Sequence, residues 1–409
     1  MMKKTLGYIE SFEKRAFGMF IHWGLYSQLG RGEWVYHMEH MTQEQYKPLM
    51  DTFTAQNFDA EEIAKTAKKA GCRYITLTTR HHDGFSLFDT KGLSDFDVMH
   101  SPCGRDLIAE FCDACRKYDL LPMLYHTTLD WMHPDFHGDF DKYLTYLQKS
   151  VELLCTNYGK IGGLWFDGNW SKPDADWQED KLYGMIRRLQ PEAMIINNTG
   201  LDSRGKTGHP EIDSVTFEQG CPTTGNRHAL EKYVAAEMCE TMNDHWGIAV
   251  NDFNYKSPAT LIEHLCLCRK AEANYLLNVG LCADGGFDPM QKQMLLFIGR
   301  WVDMFGEALY DTKPYRQEQG ADFILKGNKK LYFVCMQRGI AGDGNVTVTK
   351  AEDGSSVFEG IAEKIKSVRW MDNKESVAFT QEGENITVQL VPQRYGSSFC
   401  VRIAEAEIE

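Results

Sequence analysis

The chain has 409 residues, of which 43% are hydrophobic and 25% are charged, and its formal net charge is −14. This length exceeds one ordinary core and predicts a barrel-sized domain with a smaller one. The negative charge argues against nucleic acid or an anionic membrane surface as a partner, because both are negatively charged themselves. No apolar run reaches the roughly 18 residues that a membrane span needs.

Two features predict a cytoplasmic protein. The N-terminus carries Lys3 and Lys4, but no apolar stretch of the signal-peptide kind follows them. The twelve cysteines are scattered, several of them inside apolar runs, which is typical of reduced and buried thiols. Cys112 and Cys115 form one CxxC within a predicted helix, with no second pair and no following histidines, so we expect no zinc or redox centre there.

Apolar runs alternate with amphipathic helices through the first three quarters of the chain. The predicted strands are residues 17–23, 74–79, 120–125, 163–166, 193–197, 212–218 and 274–279. The predicted helices are residues 60–69, 106–117, 140–158, 179–189, 258–273 and 289–305. Strands separated by such helices predict parallel crossovers and a (β/α)8-type barrel, regular or irregular. A doubly wound open sheet is the alternative, although no GxGxxG follows the first strand.

The pattern changes after Pro314. Short alternating segments, parted by Gly, Asn and Asp, replace the long helices. These predicted strands are residues 322–326, 330–336, 344–348, 365–370, 384–390 and 398–403. They predict an antiparallel β-sandwich. We therefore expect a catalytic barrel over residues 1–314 and a C-terminal sandwich over residues 315–409.

Five predicted barrel strands end in polar side chains. In chain order these are His22, the pair His81 and His82, His126, Asp167, and the pair Asn197 and Asn198. Catalytic groups of such barrels lie at the carboxyl ends of the strands. The pattern therefore predicts one binding site at this end of the barrel.

Asp167 is the most informative of these residues. It ends a buried strand, Gly168 follows it, and Trp165 and Trp170 stand on either side. A carboxylate for the anomeric carbon and flat indoles for the C–H faces of a sugar are what a sugar-cleaving site requires. The alternative is that Asp167 only caps the next helix, since Asp is a common N-cap.

The histidines allow a second interpretation. Imidazole and carboxylate are zinc and iron ligands, so His22, His81, His82 and Asp167 are a conceivable metal set. Neither HxH nor HExxH occurs there, and adjacent histidines point to opposite faces of a continuing strand. We favour neutral histidines that hydrogen-bond a sugar, because neutral imidazole both donates and accepts. No metal and no cofactor are expected.

Seven stretches, in order between about residues 14 and 312, resemble glycoside hydrolase family 29, the α-L-fucosidases. They are FGMFIHWG (17–24), GEW (32–34), TTRHHDGF (78–85), LYHTTLDW (124–131), LWFDG (164–168), AEMCETMNDHWG (236–247) and NYLLNVG (274–280). The β-rich tail resembles the C-terminal sandwich of that family. The resemblance implies a fucosylated glycan as the partner molecule.

The resemblance also implies a retaining mechanism with two carboxyl groups about 5 Å apart. Asp167 matches the nucleophile of the family, and Glu237 matches its acid/base. Glu218 is the second choice as acid/base, because it too ends a plausible strand. Glu240, three residues after Glu237, is a further carboxyl in this region.

Other matched positions imply sugar contacts. His22, Glu33, His81 and His82 match positions that hydrogen-bond the fucose hydroxyls. Trp34, Trp165 and Trp246 match aromatic positions of the pocket, and Tyr125 or His126 matches a tyrosine of the family.

Three positions depart from the family pattern. Ala236 stands where a Trp often precedes the acid/base, and Asn198 or Thr199 stands where an Arg is common, with Arg204 as a possible substitute for that Arg. Ile248 ends what is often a WGY or FGY triplet. By the resemblance, these departures lie around the acid/base and on the side of the pocket that holds the leaving group, so they concern linkage preference more than the reaction class. A non-catalytic sugar-binding protein and a metal-dependent hydrolase are the alternative functions.

Overall fold

The computed structural model describes residues 6–223, 232–316, 320–336, 354–390 and 397–409. The chain forms two compact units, one of residues 1–256 with 274–296 and one of residues 257–273 with 297–409. Helices α1 to α10 are Gly7–Glu13, Val35–Met38, Gln43–Tyr46, Ala60–Ala70, Leu107–Lys117, Pro134–His137, Phe140–Asn157, Glu179–Leu189, Pro258–Lys270 and Pro289–Phe305. Within these ranges no helix combines the length and the apolar character needed to cross a membrane.

The first unit contains a closed barrel of eight parallel strands in sequential order. Strands β1 to β8 are Phe17–His22, Tyr74–Arg80, Leu121–Thr127, Gly163–Asp167, Met194–Asn197, Ser214–Glu218, Ala235–Thr241 and Asn274–Gly280. The predicted barrel is therefore confirmed, and the open sheet is wrong. The sequence did not reveal β7, because acids and a threonine interrupt its apolar run.

The helices around the barrel begin and end where side chains satisfy their backbone. Asp59, Asp106 and Asp139 each accept a hydrogen bond from the backbone N–H three residues on, at the starts of α4, α5 and α7. Gly71 ends α4 with φ of 91°, a left-handed conformation that glycine adopts without strain. These local signals explain why the predicted helix bounds lie within a few residues of the observed ones.

Every second side chain of a barrel strand points inward. The inward-facing residues form one apolar cluster that includes Phe20, Tyr74, Met123, Tyr125, Trp165, Met194, Ile196, Ala235, Cys239 and Leu276. The barrel interior is thus filled by side chains, and a ligand has room only above this cluster.

The strands of the second unit, β9 to β16, are Lys313–Pro314, Phe323–Lys326, Lys330–Cys335, Gly354–Phe358, Ile365–Trp370, Phe379–Glu382, Asn385–Leu390 and Arg402–Ile408. They form two antiparallel sheets of order β13-β16-β11-β10-β9 and β12-β15-β14. Phe333 of β11 and Phe358 of β12 stack with ring centroids 4.6 Å apart, within a core shared by both sheets. This confirms the predicted sandwich.

The predicted strand at residues 344–348 lies outside the described residues and is untested. Three details of the second unit differ from the sequence prediction. Strands β9, β12 and β14 were not predicted, and the strand predicted at residues 398–403 is found at Arg402–Ile408. Helix α9 packs against β9 and β10, although it follows a barrel strand along the chain. The boundary after residue 314 stays a prediction.

A buried ion network stabilises the amino-terminal end of the barrel strands. Asp213, fully buried just before β6, contacts the side-chain nitrogens of Arg187 at 2.5 Å and Lys232 at 2.8 Å. It also accepts hydrogen bonds from the hydroxyl of Tyr8 at 3.0 Å and the backbone N–H of Ile195 at 2.8 Å. One carboxylate therefore joins α8, β5 and the chain before β6.

We expect Asp213→Asn to lower the free energy of unfolding by about 3 kcal/mol, because it removes the buried negative charge that faces Arg187 and Lys232, although Arg187 keeps its ion pair with Glu211. Urea denaturation followed by tryptophan fluorescence measures this loss. Asp180→Asn, which changes an exposed carboxylate on α8, is the matched control and should change stability by less than about 0.5 kcal/mol. Equal stability of the two variants would contradict the structural role of Asp213.

Candidate active site

A cavity of about 570 Å³ opens at the carboxyl ends of the barrel strands. Nine of the predicted catalytic and contact residues line it. They are His22, Trp34, His81, His82, Tyr125, Trp165, Asp167, Glu218 and Trp246. The structure thus brings together most of the predicted site from seven separate segments of the chain.

Asp167 is the best-supported carboxylate of this cavity. Its Oδ1 accepts hydrogen bonds from Nε1 of Trp170 at 2.8 Å and Nδ2 of Asn198 at 3.2 Å. Its Oδ2 accepts one from the hydroxyl of Tyr125 at 3.0 Å and lies 3.5 Å from Nε2 of His82. Burial by itself raises the pKa of Asp167, but His82 and the hydroxyl and indole donors outweigh it and hold the pKa below its usual value. Asp167 is therefore ionised near neutral pH.

The chain can present Asp167 in this way because a glycine follows it. Gly168 has φ of 123°, and a Cβ at this position would lie 2.6 Å from the backbone nitrogen of Leu129. Only glycine fits this turn and this close approach. Trp170 lies two residues after this turn, and its indole N–H donates a hydrogen bond to the carboxylate of Asp167.

Strand register separates the two glutamates that were candidates for the second carboxyl. On β6 and β7, Glu218 pairs with Cys239, and Thr216 pairs with Glu237. Glu237 therefore lies two residues, about 6 to 7 Å, deeper in the barrel than Glu218. The residue that β7 presents to the cavity is Cys239, whereas β6 presents Glu218.

Glu218 lies close to Asp167. Nδ2 of Asn198 donates to Oε2 of Glu218 at 2.8 Å and to Oδ1 of Asp167 at 3.2 Å. These two oxygens are hence no more than about 6 Å apart, which accommodates the separation of retaining glycosidases. Burial and then the charge of Asp167 raise the pKa of Glu218 to about 7, against the lowering effects of Asn198 and Arg204.

Glu237 faces the barrel interior instead. It is 1% exposed and accepts hydrogen bonds from the hydroxyl of Tyr74 at 2.6 Å and from Nε1 of Trp165 at 2.8 Å. Burial raises its pKa to about 7 as well. Glu240 is also buried and accepts from the hydroxyl of Tyr275. Neither carboxyl lines the cavity, and Glu237 fixes the indole of Trp165 from below.

The cavity histidines are held in defined states. The amide nitrogen of Asn278 donates to the carbonyl of Trp246 at 2.7 Å, so the amide oxygen of Asn278 accepts a hydrogen bond from Nδ1–H of His22 at 2.7 Å. Burial lowers the pKa of His22 to about 3, and it holds the pKa of His81 well below the usual value. Both rings are neutral, and His22 keeps Nε2 as an acceptor for a hydroxyl group. Among the described residues, no three His, Cys, Asp or Glu side chains are grouped to hold a metal ion.

Aromatic rings form the apolar walls. Trp34 and Trp170 stack at a centroid distance of 6.0 Å, and Tyr125 and Trp165 stack at 5.6 Å. Trp246 packs against His22 at 5.1 Å. These flat faces suit the C–H surfaces of a sugar ring.

Two predicted contact residues do not reach the cavity. Oε2 of Glu33 accepts from the backbone N–H groups of Trp246 and Gly247 at 3.1 Å and 2.8 Å, and thereby positions that segment. His126 follows inward-facing Tyr125, so it points outward, within 2.8 Å of Thr79 Oγ1 and 3.0 Å of Ser150 Oγ. Of the two choices on β3, Tyr125 is the one in the cavity.

Several residues that were not predicted as sugar contacts also line the cavity. Trp170 and Asn198 hydrogen-bond Asp167, and residues 199–203 with Pro173 form part of the wall. The sequence had drawn attention to Trp170 beside Asp167 and to Asn198 and Thr199 after the fifth strand. Residues 200–203 had no such signal, because their contribution depends on how the chain folds after β5.

The arrangement as a whole suits a two-step displacement at a sugar carbon. One carboxyl is ionised and can attack, and the other, with a pKa of about 7, keeps part of its protonated form near neutral pH and can donate a proton. Neutral imidazoles and aromatic faces surround them. This is the composition of a retaining glycosidase site.

Comparison with known proteins agrees with this chemistry. The family model described as Alpha-L-fucosidase matches residues 3–307. Human tissue alpha-L-fucosidase is 29% identical over 336 residues, covering 75% of this chain and 70% of that protein. The solved structure of alpha-L-fucosidase isoenzyme 1 from Paenibacillus thiaminolyticus is 31% identical, with a TM-score of 0.84 over 98% of this chain and 99% of that one. The alpha-L-fucosidase structure from Vibrio sp. strain EJY3 is 26% identical with a TM-score of 0.84, covering 100% of this chain and 74% of that one. The chain therefore belongs to the alpha-L-fucosidase family of glycoside hydrolases.

Proposed function

We propose that this protein removes terminal α-L-fucose from fucosylated glycans by double displacement, with Asp167 as nucleophile and Glu218 as acid/base. The single observation that carries the assignment is the amide of Asn198, which contacts both carboxyl groups at once. This shared contact keeps the two carboxyl groups within the distance that a retaining glycosidase needs to form a covalent intermediate. A protein that only bound sugar would have no need for this pair.

In the first step, a carboxylate oxygen of Asp167 attacks the anomeric carbon and the bond to the leaving oxygen breaks. Glu218 gives its proton to that oxygen, so the leaving group departs as a neutral alcohol. The raised pKa of Glu218, about 7, keeps this proton available near neutral pH. The product of the step is a fucosyl ester of Asp167.

In the second step, the ester no longer carries the negative charge that raised the pKa of Glu218. Glu218, which gave up its proton in the first step, therefore stays ionised and takes a proton from water as the water oxygen attacks the anomeric carbon. The bond to Asp167 breaks, which restores its carboxylate and the protonated Glu218. Substitution at the same carbon twice retains the configuration.

The cavity also supports fucose as the sugar. Neutral His22 and His81 can exchange hydrogen bonds with ring hydroxyls without a charge to desolvate. Phe20, Trp165 and Trp246 line the cavity, and such aromatic surface can accept the methyl group of a 6-deoxy sugar. Because the filled barrel closes the floor, we propose cleavage of a terminal residue.

The cytoplasmic location, and the absence of a nucleic-acid partner, stay predictions. All twelve cysteines are free thiols, and most are buried. This supports a proposal of a reducing compartment.

We expect Asp167→Gly to lower kcat on an aryl α-L-fucoside by at least about a thousandfold, because no other group can form the ester. Azide should restore part of the turnover by occupying the space of the lost carboxylate. It attacks once, so the product should be the β-fucosyl azide, identified by NMR. Near-normal turnover without azide would exclude Asp167 as nucleophile.

Glu218→Ala and Glu237→Gln separate the two candidate acids. Because a poor leaving group needs a proton, we expect Glu218→Ala to slow cleavage of natural glycans far more than glycosylation by an activated aryl fucoside. The wild-type kcat/KM should fall as pH rises through about 7, as Glu218 loses its proton, and this alkaline limb should disappear in Glu218→Ala. Azide should accelerate the second step and give the α-fucosyl azide.

Glu237→Gln is the matched control, since it keeps the shape of a buried group that accepts from Tyr74 and Trp165. It should retain the alkaline limb and show no azide product. If Glu237→Gln or Glu237→Ala instead loses the limb and gives the α-azide, while Glu218→Ala behaves as the wild type, the two roles must be exchanged.

We expect EDTA to leave the rate unchanged, because the two-carboxyl mechanism routes no step through a metal ion. Assays of the purified enzyme before and after chelation, and after addition of zinc, test this. Complete loss that zinc reverses would support the metal-dependent alternative and refute the proposed mechanism.

A further inference from the structure

We propose that Asn198 is a positioning residue for the reaction, whose carboxamide holds the nucleophile and the acid/base at their working separation by donating one N–H to each. The proposal rests on the roles assigned above to Asp167 and Glu218. No local sequence pattern gives Asn198 this task, because the task depends on contacts with residues from two other strands.

The geometry suits a bridge. Asn198 directly follows β5, its backbone N–H donates to the carbonyl of Phe166 at 2.8 Å, and its side chain is buried. An amide nitrogen carries two hydrogens. Nδ2 lies 3.2 Å from Asp167 and 2.8 Å from Glu218, so each carboxyl group receives one of them.

The amide is held in this orientation from the other side. Oδ1 of Asn198 accepts a hydrogen bond from the hydroxyl of Thr216 at 2.9 Å and one from the backbone N–H of Gly200 at 3.3 Å. A flipped amide would place its oxygen against two carboxyl oxygens and its nitrogen against these donors. Thr216 therefore fixes which atom faces Asp167 and Glu218.

The bridge acts on both titrating groups in the same direction. A hydrogen bond to a carboxylate favours its ionised form. Loss of the amide should raise the pKa of Asp167 and of Glu218 together, which moves both limbs of the pH profile to higher pH. The other groups that face this pair are His82, Tyr125 and Trp170 around Asp167, and Arg204 and Glu33 around Glu218.

The bridge also has a part in the second step. Once Asp167 is an ester, the amide keeps its contact to Glu218 and stabilises the carboxylate that must act as base. Removing it should slow chemistry more than binding, so kcat should fall with little change in KM.

Asn197 provides the matched control. It is the neighbouring asparagine and is equally buried, but its Nδ2 donates to the hydroxyl of Tyr183 at 2.9 Å and it does not line the cavity. A role of Asn198 in folding alone would make Asn198→Ala and Asn197→Ala alike in kinetics.

The experiment compares Asn198→Ala, Asn197→Ala and Thr216→Val in the full chain, with kcat and KM for an aryl fucoside measured across pH. For Asn198→Ala we expect a 10- to 100-fold loss of kcat, the size typical of a hydrogen bond to a charged group, with both pH limbs displaced to higher pH. Thr216→Val removes the hydrogen bond that orients the Asn198 amide. It should also displace both pH limbs to higher pH, with a smaller loss of kcat. Asn197→Ala should lower the thermal midpoint but keep the wild-type limbs.

Wild-type pH limbs in Asn198→Ala would overturn the proposal, whatever the change in rate. If that variant does not fold, wild-type limbs in Thr216→Val would overturn it instead. A wild-type enzyme without fucosidase activity, or a Glu218→Ala variant without leaving-group dependence, would refute the proposed function. An active wild type with unshifted limbs in both variants would refute only the role of Asn198.

Discussion

Two carboxyl groups within about 6 Å of each other in a largely buried cavity cannot both be ionised cheaply, because their charges repel where little water screens them. The surroundings of the two groups determine that Asp167 is the one that is ionised, because they lower the pKa of Asp167 and raise the pKa of Glu218. Hydroxyl and indole donors and His82 surround Asp167 and lower its pKa, whereas burial and the charge of Asp167 outweigh the effects of Asn198 and Arg204 at Glu218 and raise its pKa. One group is thereby kept as a nucleophile and the other as an acid. When Asp167 becomes an uncharged ester, the pKa of Glu218 falls, and Glu218 is then the ionised group that acts as base.

The barrel architecture brings these groups together. Alternation along each strand sends one side chain into the interior and its neighbour to the helices. Tyr125 reaches Asp167 while His126 does not, and Asn198 reaches both carboxyl groups while Asn197 does not. Closing the sheet brings side chains at or near the carboxyl ends of β1 to β7 around a single cavity.

The filled interior below the cavity supports its floor. Glu237 and Tyr74 lie at this level, and the carboxyl of Glu237 receives the indole N–H of Trp165. A buried carboxyl of this kind is costly unless it is hydrogen-bonded. Its two donors explain how a titratable side chain can occupy the barrel core without belonging to the reacting groups.

Local sequence determined much of this protein. Apolar runs, N-capping aspartates such as Asp59 and Asp106, and glycine stops such as Gly71 specify strands and helices through contacts within a few residues. Ordered motifs and a carboxylate at the end of a strand predicted the barrel, the family and Asp167. Only the tertiary structure decided which glutamate faces the cavity, because that depends on the register between β6 and β7. It also decided the bridge at Asn198, since no local pattern encodes a contact between side chains at the ends of three different strands.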